Sequence, residues 1–362
     1  MLKSKAPSPL AEKRQLPTNT LWFWIVAIMI AIFAVLDGFD MGVGIIHLII
    51  TRNDRERSTL LESIGPVWDG NEVWLVAGGG ALFFAFPAAY ASGFSGFYLP
   101  LMMVLWLLIL RGIAIEFRNH IDNPVWIPFW DVVFAGASLL LALFFGVALG
   151  NVIRGVPLDA NGWFFLPLWT NFRVGPVAGI LDWFTIVLGL TSVVALAMQG
   201  CLWAAMETRG DLQMRAREFA SLVWPFAVLL TIAVMIIVPF TLPHFSARYL
   251  ERPLGLILPL AALGTLVGVR IASRAGGDHT AFLCSSGYIL AMLAAAAFGH
   301  YPNLLPAISG TQNGLTIYNA ATTSYGLSIG LVWFIPGMLL VSGYFAFAYR
   351  HVLTKRSTDV VS

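Results

Sequence analysis

LDGFDMGVGIIHLIITRNDRERSTLLESIGPVWDGNEVWLVAGGGALFFA, from Leu36 to Ala85, sets two apolar runs on either side of a charged turn, and those runs carry Asp37, Asp40, Asp69 and Glu72. An ionisable side chain inside a bilayer segment costs on the order of 3 kcal/mol or more, so it faces protein, a water-filled cavity or a proton path. Within each pair the acids are three residues apart, which on a helix puts both on one face. These four carboxylates are the first candidates for function.

Outward from this stretch the rest of the chain is also apolar. Of 362 residues, 58% are hydrophobic and 11% charged, and the mean hydropathy is +0.80. A soluble globule is ordinarily about a quarter charged; this composition belongs to an all-α polytopic membrane protein. A net charge of +2, with its cations in short loops, gives no footprint for nucleic acid. Cys201 and Cys284 lie in apolar runs without CxxC spacing, so neither a disulfide framework nor a zinc site is expected. The apolar run after Lys3, Lys5, Lys13 and Arg14 continues past Leu36 without a small-residue cleavage site, which reads as a retained first span.

Stretches of roughly 20 apolar residues predict nine spans, near 21 to 50, 72 to 90, 94 to 115, 131 to 151, 177 to 205, 219 to 241, 253 to 273, 281 to 299 and 326 to 349. The expected organisation is an N-terminal tail (1–20), one transmembrane domain (21–350) and a C-terminal tail (351–362). One set of loops carries Arg52, Arg55, Arg57, Arg111, Arg118, Arg209, Arg215, Arg217, Arg270 and Arg274, while the other carries only Arg154, Arg173, Arg248 and Arg252. The excess assigns the first set to the cytoplasm. The N-terminus is then periplasmic and the C-terminus cytoplasmic, against the N-terminal lysines and with Arg350, Lys355 and Arg356. At about 1.5 Å per residue from Leu21, Asp37 lies roughly 25 Å and Asp40 roughly 30 Å along the first span. Asp69 and Glu72 re-enter from the same cytoplasmic loop.

Each neighbouring feature has a plain use beside a functional one. RNDRER at Arg52 to Arg57 reads as a connector. Gly38 and Gly42 make a small-xxx-small face, and Gly78, Gly79 and Gly80 admit another backbone or a bulky group. Arg111 either snorkels to the interface or pairs with a buried carboxylate on its side of the membrane and keeps it ionised. Asp131 and Asp182 stand at span starts as interfacial or capping residues. The six histidines, among them His47 and His300, are expected at interfaces, since no two share a helix face at haem- or metal-binding spacing. Trp68 directly precedes Asp69, where its indole can orient the acid or sit in the aromatic belt.

Chemistry alone leaves two readings: a subunit that conducts protons to a reaction carried by a partner, or a proton-coupled secondary transporter. A transporter is expected to show inverted repeats with matched broken helices. The half from Val177 onward has few ionisable residues in its spans and no counterpart of the first acid pair, which favours the accessory subunit.

DGFDMGVG (Asp37 to Gly44), GPVWDGNEVWL (Gly65 to Leu75), GGALFFAFPAAYA (Gly79 to Ala91), FSGFYLP (Phe94 to Pro100) and GNVIRGVP (Gly150 to Pro157) closely resemble subunit II, the smaller subunit, of the cytochrome bd family of bacterial quinol oxidases. The likeness extends over nearly the whole chain, and its general character resembles the branch called cyanide-insensitive. It implies nine helices arranged as two four-helix bundles plus one peripheral helix. It also implies a bacterial inner-membrane heterodimer with a haem-bearing subunit I, which holds haems b and d or b alone, and very small single-helix subunits. Quinol is oxidised and dioxygen reduced to water at the level of the complex. No catalytic or metal-ligating residue is expected in this chain. Some members hold a structural quinone in an apolar groove of this subunit, for which the sequence shows no motif. Carried over residue by residue, a cytoplasmic proton pathway would use Trp68 and Asp69 at its entrance, Asp37 and Asp40 as relay or structural acids, and Arg111 as charge compensation. Glu72 joins them by position, although some members carry Gln there.

Overall fold

The structure is a computed structural model that describes residues 9–308 and 314–359; residues 1–8 and 360–362 of the two expected tails lie outside the described residues. Helix α1 runs from Pro9 to Ile50 and is followed by α2 (Asp54–Ile64), α3 (Trp68–Ala85), α4 (Pro87–Gly96), α5 (Tyr98–Phe117), α6 (Trp126–Arg154), α7 (Trp183–Glu207) and α8 (Gly210–Thr241). Then come α9 (Pro243–Glu251), α10 (Ile257–Arg274), α11 (Asp278–His300), a small antiparallel pair β1 (Asn303–Leu305) and β2 (Leu315–Thr316), and α12 (Ser324–Asp359).

Among the described residues, eight segments are long and apolar enough to cross a membrane: Pro17–Ile50, Tyr98–Phe117, Trp126–Arg154, Trp183–Glu207, Gly210–Thr241, Pro253–Arg274, Asp278–His300 and Ser324–Phe347. The expected span at 72 to 90 falls on α3 and the start of α4. Asp69, Asn71 and Glu72 make the first turns of α3 polar, and the helix breaks at Phe86 because Pro87 opens α4 without an N–H to continue the ladder.

The charged turn is more than a connector. Asn53 caps α2 by accepting from the Glu56 N–H, and α2 buries Leu60, Leu61, Ser63 and Ile64. At the opposite end of the molecule Asp182 and Thr185 close a reciprocal capping box that starts α7. The Arg154 guanidinium pairs with the same Asp182 and donates to the Gly179 carbonyl at 3.0 Å, which pins the 155–182 loop to α6.

Helix α1 is the axis of the packing and touches α3, α6, α7 and α11, while α5 lies on α6, α7 on α6 and α8, and α10 on α11. Two glycines permit the closest of these approaches. A Cβ on Gly42 of α1 would collide with the backbone of Leu196 and Gly200 on α7, and one on Gly200 would collide with Gly42. A Cβ on Gly38 would meet the side chains of Leu196 and Gln199, whereas one on Gly79 or Gly80 would point into open space. Helix α12 lies against α1, and Trp22 donates to the Leu327 carbonyl at 3.1 Å. Much of its apolar surface faces outward, with Tyr325 77% and Trp333 76% exposed.

Candidate functional site: a buried acid line on α1 and α3

The acids of α1 are buried where α3 packs on α1 and α5 brings Arg111 against them. Asp37 is 0% and Asp40 1% exposed. The Arg111 Nη2, also fully buried, donates to Asp37 Oδ1 at 2.6 Å and stands 3.7 Å from Glu72 Oε2. Arg111 therefore pairs with carboxylates and does not snorkel. The Asn71 Nδ2, on the buried face of α3, donates to Asp40 Oδ2 at 2.8 Å and to the Leu36 carbonyl at 3.3 Å. Asn71 is uncharged and so does not stand out in an apolar run as the acids do; its place two residues after Asp69 in VWDGNEVW is the one local signal for it.

Exposure falls steadily along this set. Asp69 is exposed in the first turn of α3, where a carboxylate complements the helix dipole. Glu72 is 23% exposed in its side chain, and Arg111 and Asp37 are at 0%. Trp68 is half-buried, with its indole edge over Gly112 of α5, next to Arg111. Asp37 Oδ2, Asp40 Oδ1 and the Arg111 Nε and Nη1 have no hydrogen-bond partner among the described residues. Such atoms are ordinarily satisfied by water or by a partner. One guanidinium between Asp37 and Glu72 neutralises only part of a three-carboxylate group, so the arrangement suits acids that exchange a proton.

A second buried ionic cluster lies farther along α1. His47 and Asp131, expected at interfaces, are both fully buried and bonded at 2.7 Å through His47 Nε2 and Asp131 Oδ1. Asp131 also accepts from Arg118 Nε at 2.6 Å and Arg57 Nη1 at 3.2 Å, and Arg118 Nη2 reaches Asp54 at 2.5 Å. Asp131 was misplaced by its position near a span start: α6 begins at Trp126, a turn earlier, so this residue faces α1 and not the interface. Asp182, in contrast, is the cap that its position suggested.

The histidines offer no axial pair for a haem among the described residues. His47 Nε2 is engaged by Asp131, His300 Nε2 lies 3.3 Å from the Leu304 carbonyl, and His120 and His279 are exposed. No group of three or more metal-ligating side chains is found among the described residues. Cys201 is buried, and Cys284 packs against Gly268. An apolar cavity of about 270 Å³ lies among α4, α5 and α6, lined by Phe94, Phe97, Val104, Phe145 and Asn151.

Residues 18–352 match the sequence profile described as cytochrome bd terminal oxidase subunit II. The chain is 30% identical to the cytochrome bd-I ubiquinol oxidase subunit 2 of Escherichia coli strain K12, covering 90% of this chain and 92% of that protein. It is 31% identical to the cytochrome bd ubiquinol oxidase subunit 2 of Bacillus subtilis strain 168, with 93% and 96% covered. A chain of the solved bd oxidase of Geobacillus thermodenitrificans superposes with a TM-score of 0.70 at 16% identity, over 92% of this chain and 98% of that one, and so shares the fold.

Proposed function

The chain belongs to the cytochrome bd terminal oxidase subunit II family, and from that premise we propose that it delivers cytoplasmic protons to the oxygen chemistry of its complex. It is a multi-pass protein of the bacterial inner membrane and a subunit of a quinol:oxygen oxidoreductase, assembled with subunit I. The observation that carries the proton reading is the falling exposure from Asp69 through Glu72 to Asp37 and Asp40, with the single Arg111 guanidinium set among the inner acids.

In this reading Asp69 collects protons at the cytoplasmic surface and Trp68 orients the entrance. Glu72 passes them inward, and Asp37 and Asp40 hold them beside Arg111, which limits the charge that the group can carry. Asn71 fixes the Asp40 carboxylate. Haem supplies the redox chemistry of such an oxidase, and in this reading haems b and d, or b alone, are held by the partner. The split α3–α4 segment is the ninth span, the N-terminus lies outside and the C-terminus in the cytoplasm. Helices α1, α3, α5 and α6 make one four-helix bundle, α7, α8, α10 and α11 the other, with α12 peripheral. The apolar cavity has the character expected of a structural quinone groove, and very small single-helix subunits are further partners. The uneven distribution of buried acids between the halves argues against the transporter reading.

The test is co-expression with the haem-bearing partner, with Asp69→Asn and Asp37→Asn prepared separately. Quinol-dependent oxygen uptake is expected to fall on the order of tenfold or more in each, equivalent to at least about 1.4 kcal/mol of barrier, while haem spectra stay intact. Lost haem or lost partner would make these acids structural. Normal uptake with a normal spectrum would remove them from the path.

A further inference from the structure

The His47 cluster has no place in the acid line just described, yet it shares the same face of α1. Asp37, Asp40, Gly44 and His47 follow at spacings of three, four and three residues, which one helix face accommodates. On α6, Asp131, Phe134 and Ser138 form the matching face: Asp131 bonds His47, Phe134 stands edge-on to the imidazole with centroids 5.3 Å apart, and Ser138 packs against Gly44.

Three atoms along this seam have no hydrogen-bond partner among the described residues: His47 Nδ1, Ser138 Oγ and Asp40 Oδ1. Their side chains are 0%, 0% and 1% exposed. Buried polar atoms are rarely left unsatisfied, and each is of the kind that ordered water pairs. Seven residues separate Asp40 from His47, about 10 Å along the helix, and Ser138 lies between them at the level of Gly44.

The other end of the cluster reaches solvent. Arg118 is bonded to Asp131, to Ser58 at 3.0 Å and to Asp54, whose side chain is 60% exposed, while Arg57 is 27% exposed. The charged groups around His47 are thus Asp131 from α6, Arg118 from the end of α5, and Arg57 and, through Arg118, Asp54 from α2.

We propose that His47 and Asp131 form a second proton-uptake branch, which opens at Asp54 and Arg118 and runs along the α1–α6 seam past Ser138 to Asp40. The inference rests on the reading of Asp37 and Asp40 as proton carriers. Asp131, which Arg57 and Arg118 hold as a carboxylate, accepts the Nε2–H, so the imidazole takes up a proton on Nδ1 from water entering the seam and hands it on past Ser138 to the Asp40 carboxylate, returning to its starting tautomer. Phe134, in contact with both His47 and the Gly44–Ser138 contact, is the barrier on this route and makes it the slower one.

Parallel branches have a signature that a structural role lacks. His47→Gln keeps a hydrogen-bonding side chain beside Asp131 but cannot relay a proton. In the wild-type oxidase it is expected to lower quinol-driven oxygen uptake by less than about twofold, because the Asp69 line still runs. In Asp69→Asn it is expected to remove most of the residual uptake, a further loss of about tenfold, with unchanged haem spectra. Ser138→Val in the same background is expected to do likewise. A change by the same factor in both backgrounds is the mark of independent structural effects and would overturn the branch, as would an Asp69→Asn/His47→Gln enzyme no slower than Asp69→Asn. Asp37→Asn separates the two ideas. If it alone leaves uptake normal, the proton-carrier reading fails; if it cuts uptake and the double variant equals Asp69→Asn, only the second branch fails.

Discussion

Arg111 is fully buried between Asp37 at 2.6 Å and Glu72 at 3.7 Å, so removing its charge strands carboxylates in a low-dielectric interior. Breaking one side of a buried pair costs about 3–5 kcal/mol, whereas removing both sides together is far milder. Arg111→Met is therefore expected to leave little assembled oxidase, measured as haem per milligram of solubilised membrane protein. Asp37→Asn combined with Arg111→Met is expected to restore assembly without restoring oxygen uptake. At the same scale, Asn71→Leu removes the amide that holds Asp40 Oδ2. An unsatisfied buried acceptor costs about 1–3 kcal/mol, so a lower thermal midpoint in detergent is the expected readout.

Between elements, the α1–α7 crossing and the α2 clamp respond to different variables. Gly42 and Gly200 sit backbone to backbone, so Gly42→Ala forces the helices apart and is expected to cost about 1–3 kcal/mol, the usual scale of overpacking. Gly79→Ala, with open space at its Cβ, is expected to leave the thermal midpoint unchanged. The α2 clamp is electrostatic: Arg215 Nη2 stands 2.7 Å from Glu56 Oε1, and Arg215 Nε donates to the Ile50 carbonyl at 2.7 Å. Partial burial raises the Glu56 carboxyl, but the Arg52 N–H at 2.7 Å and the Arg215 guanidinium lower it more, and it rests below its ordinary 4.5. A depressed carboxyl contributes stability above its unfolded value and loses it as pH falls through the folded one. Glu56→Gln is thus expected to lower the melting temperature at pH 7, with the difference from wild type closing below about pH 4; a difference that persists there would argue against the ion pair.

For the whole molecule, the side on which each loop lies can be measured directly. With Cys201 and Cys284 replaced by alanine, Glu62→Cys on exposed α2 is expected to react with a membrane-impermeant maleimide only in permeabilised cells. Asn161→Cys, in the long exposed loop after α6, is expected to react in intact cells. The reverse pattern would invert the orientation drawn from the loop arginines and place the acid line at the periplasmic surface.

Composition and apolar run length determined by themselves that this is a helical membrane protein, because a bilayer demands long uncharged segments whatever their neighbours. The DGFD and VWDGNEVW stretches marked the acid line for the same reason: charge inside an apolar run stands out one residue at a time. Tertiary structure alone decided which partners those charges have. Arg111 lies 74 residues from Asp37, and His47 lies 84 from Asp131, so no local pattern links them. It was likewise the packing of α6 on α1 that turned Asp131 from a residue near a span end into the centre of a buried cluster, and of α3 on α1 that gave Asn71 its hold on Asp40. Periodicity says which side of a helix is special; which helix faces that side is settled by how glycines such as Gly42 and Gly200 let backbones meet, and that is a property of pairs.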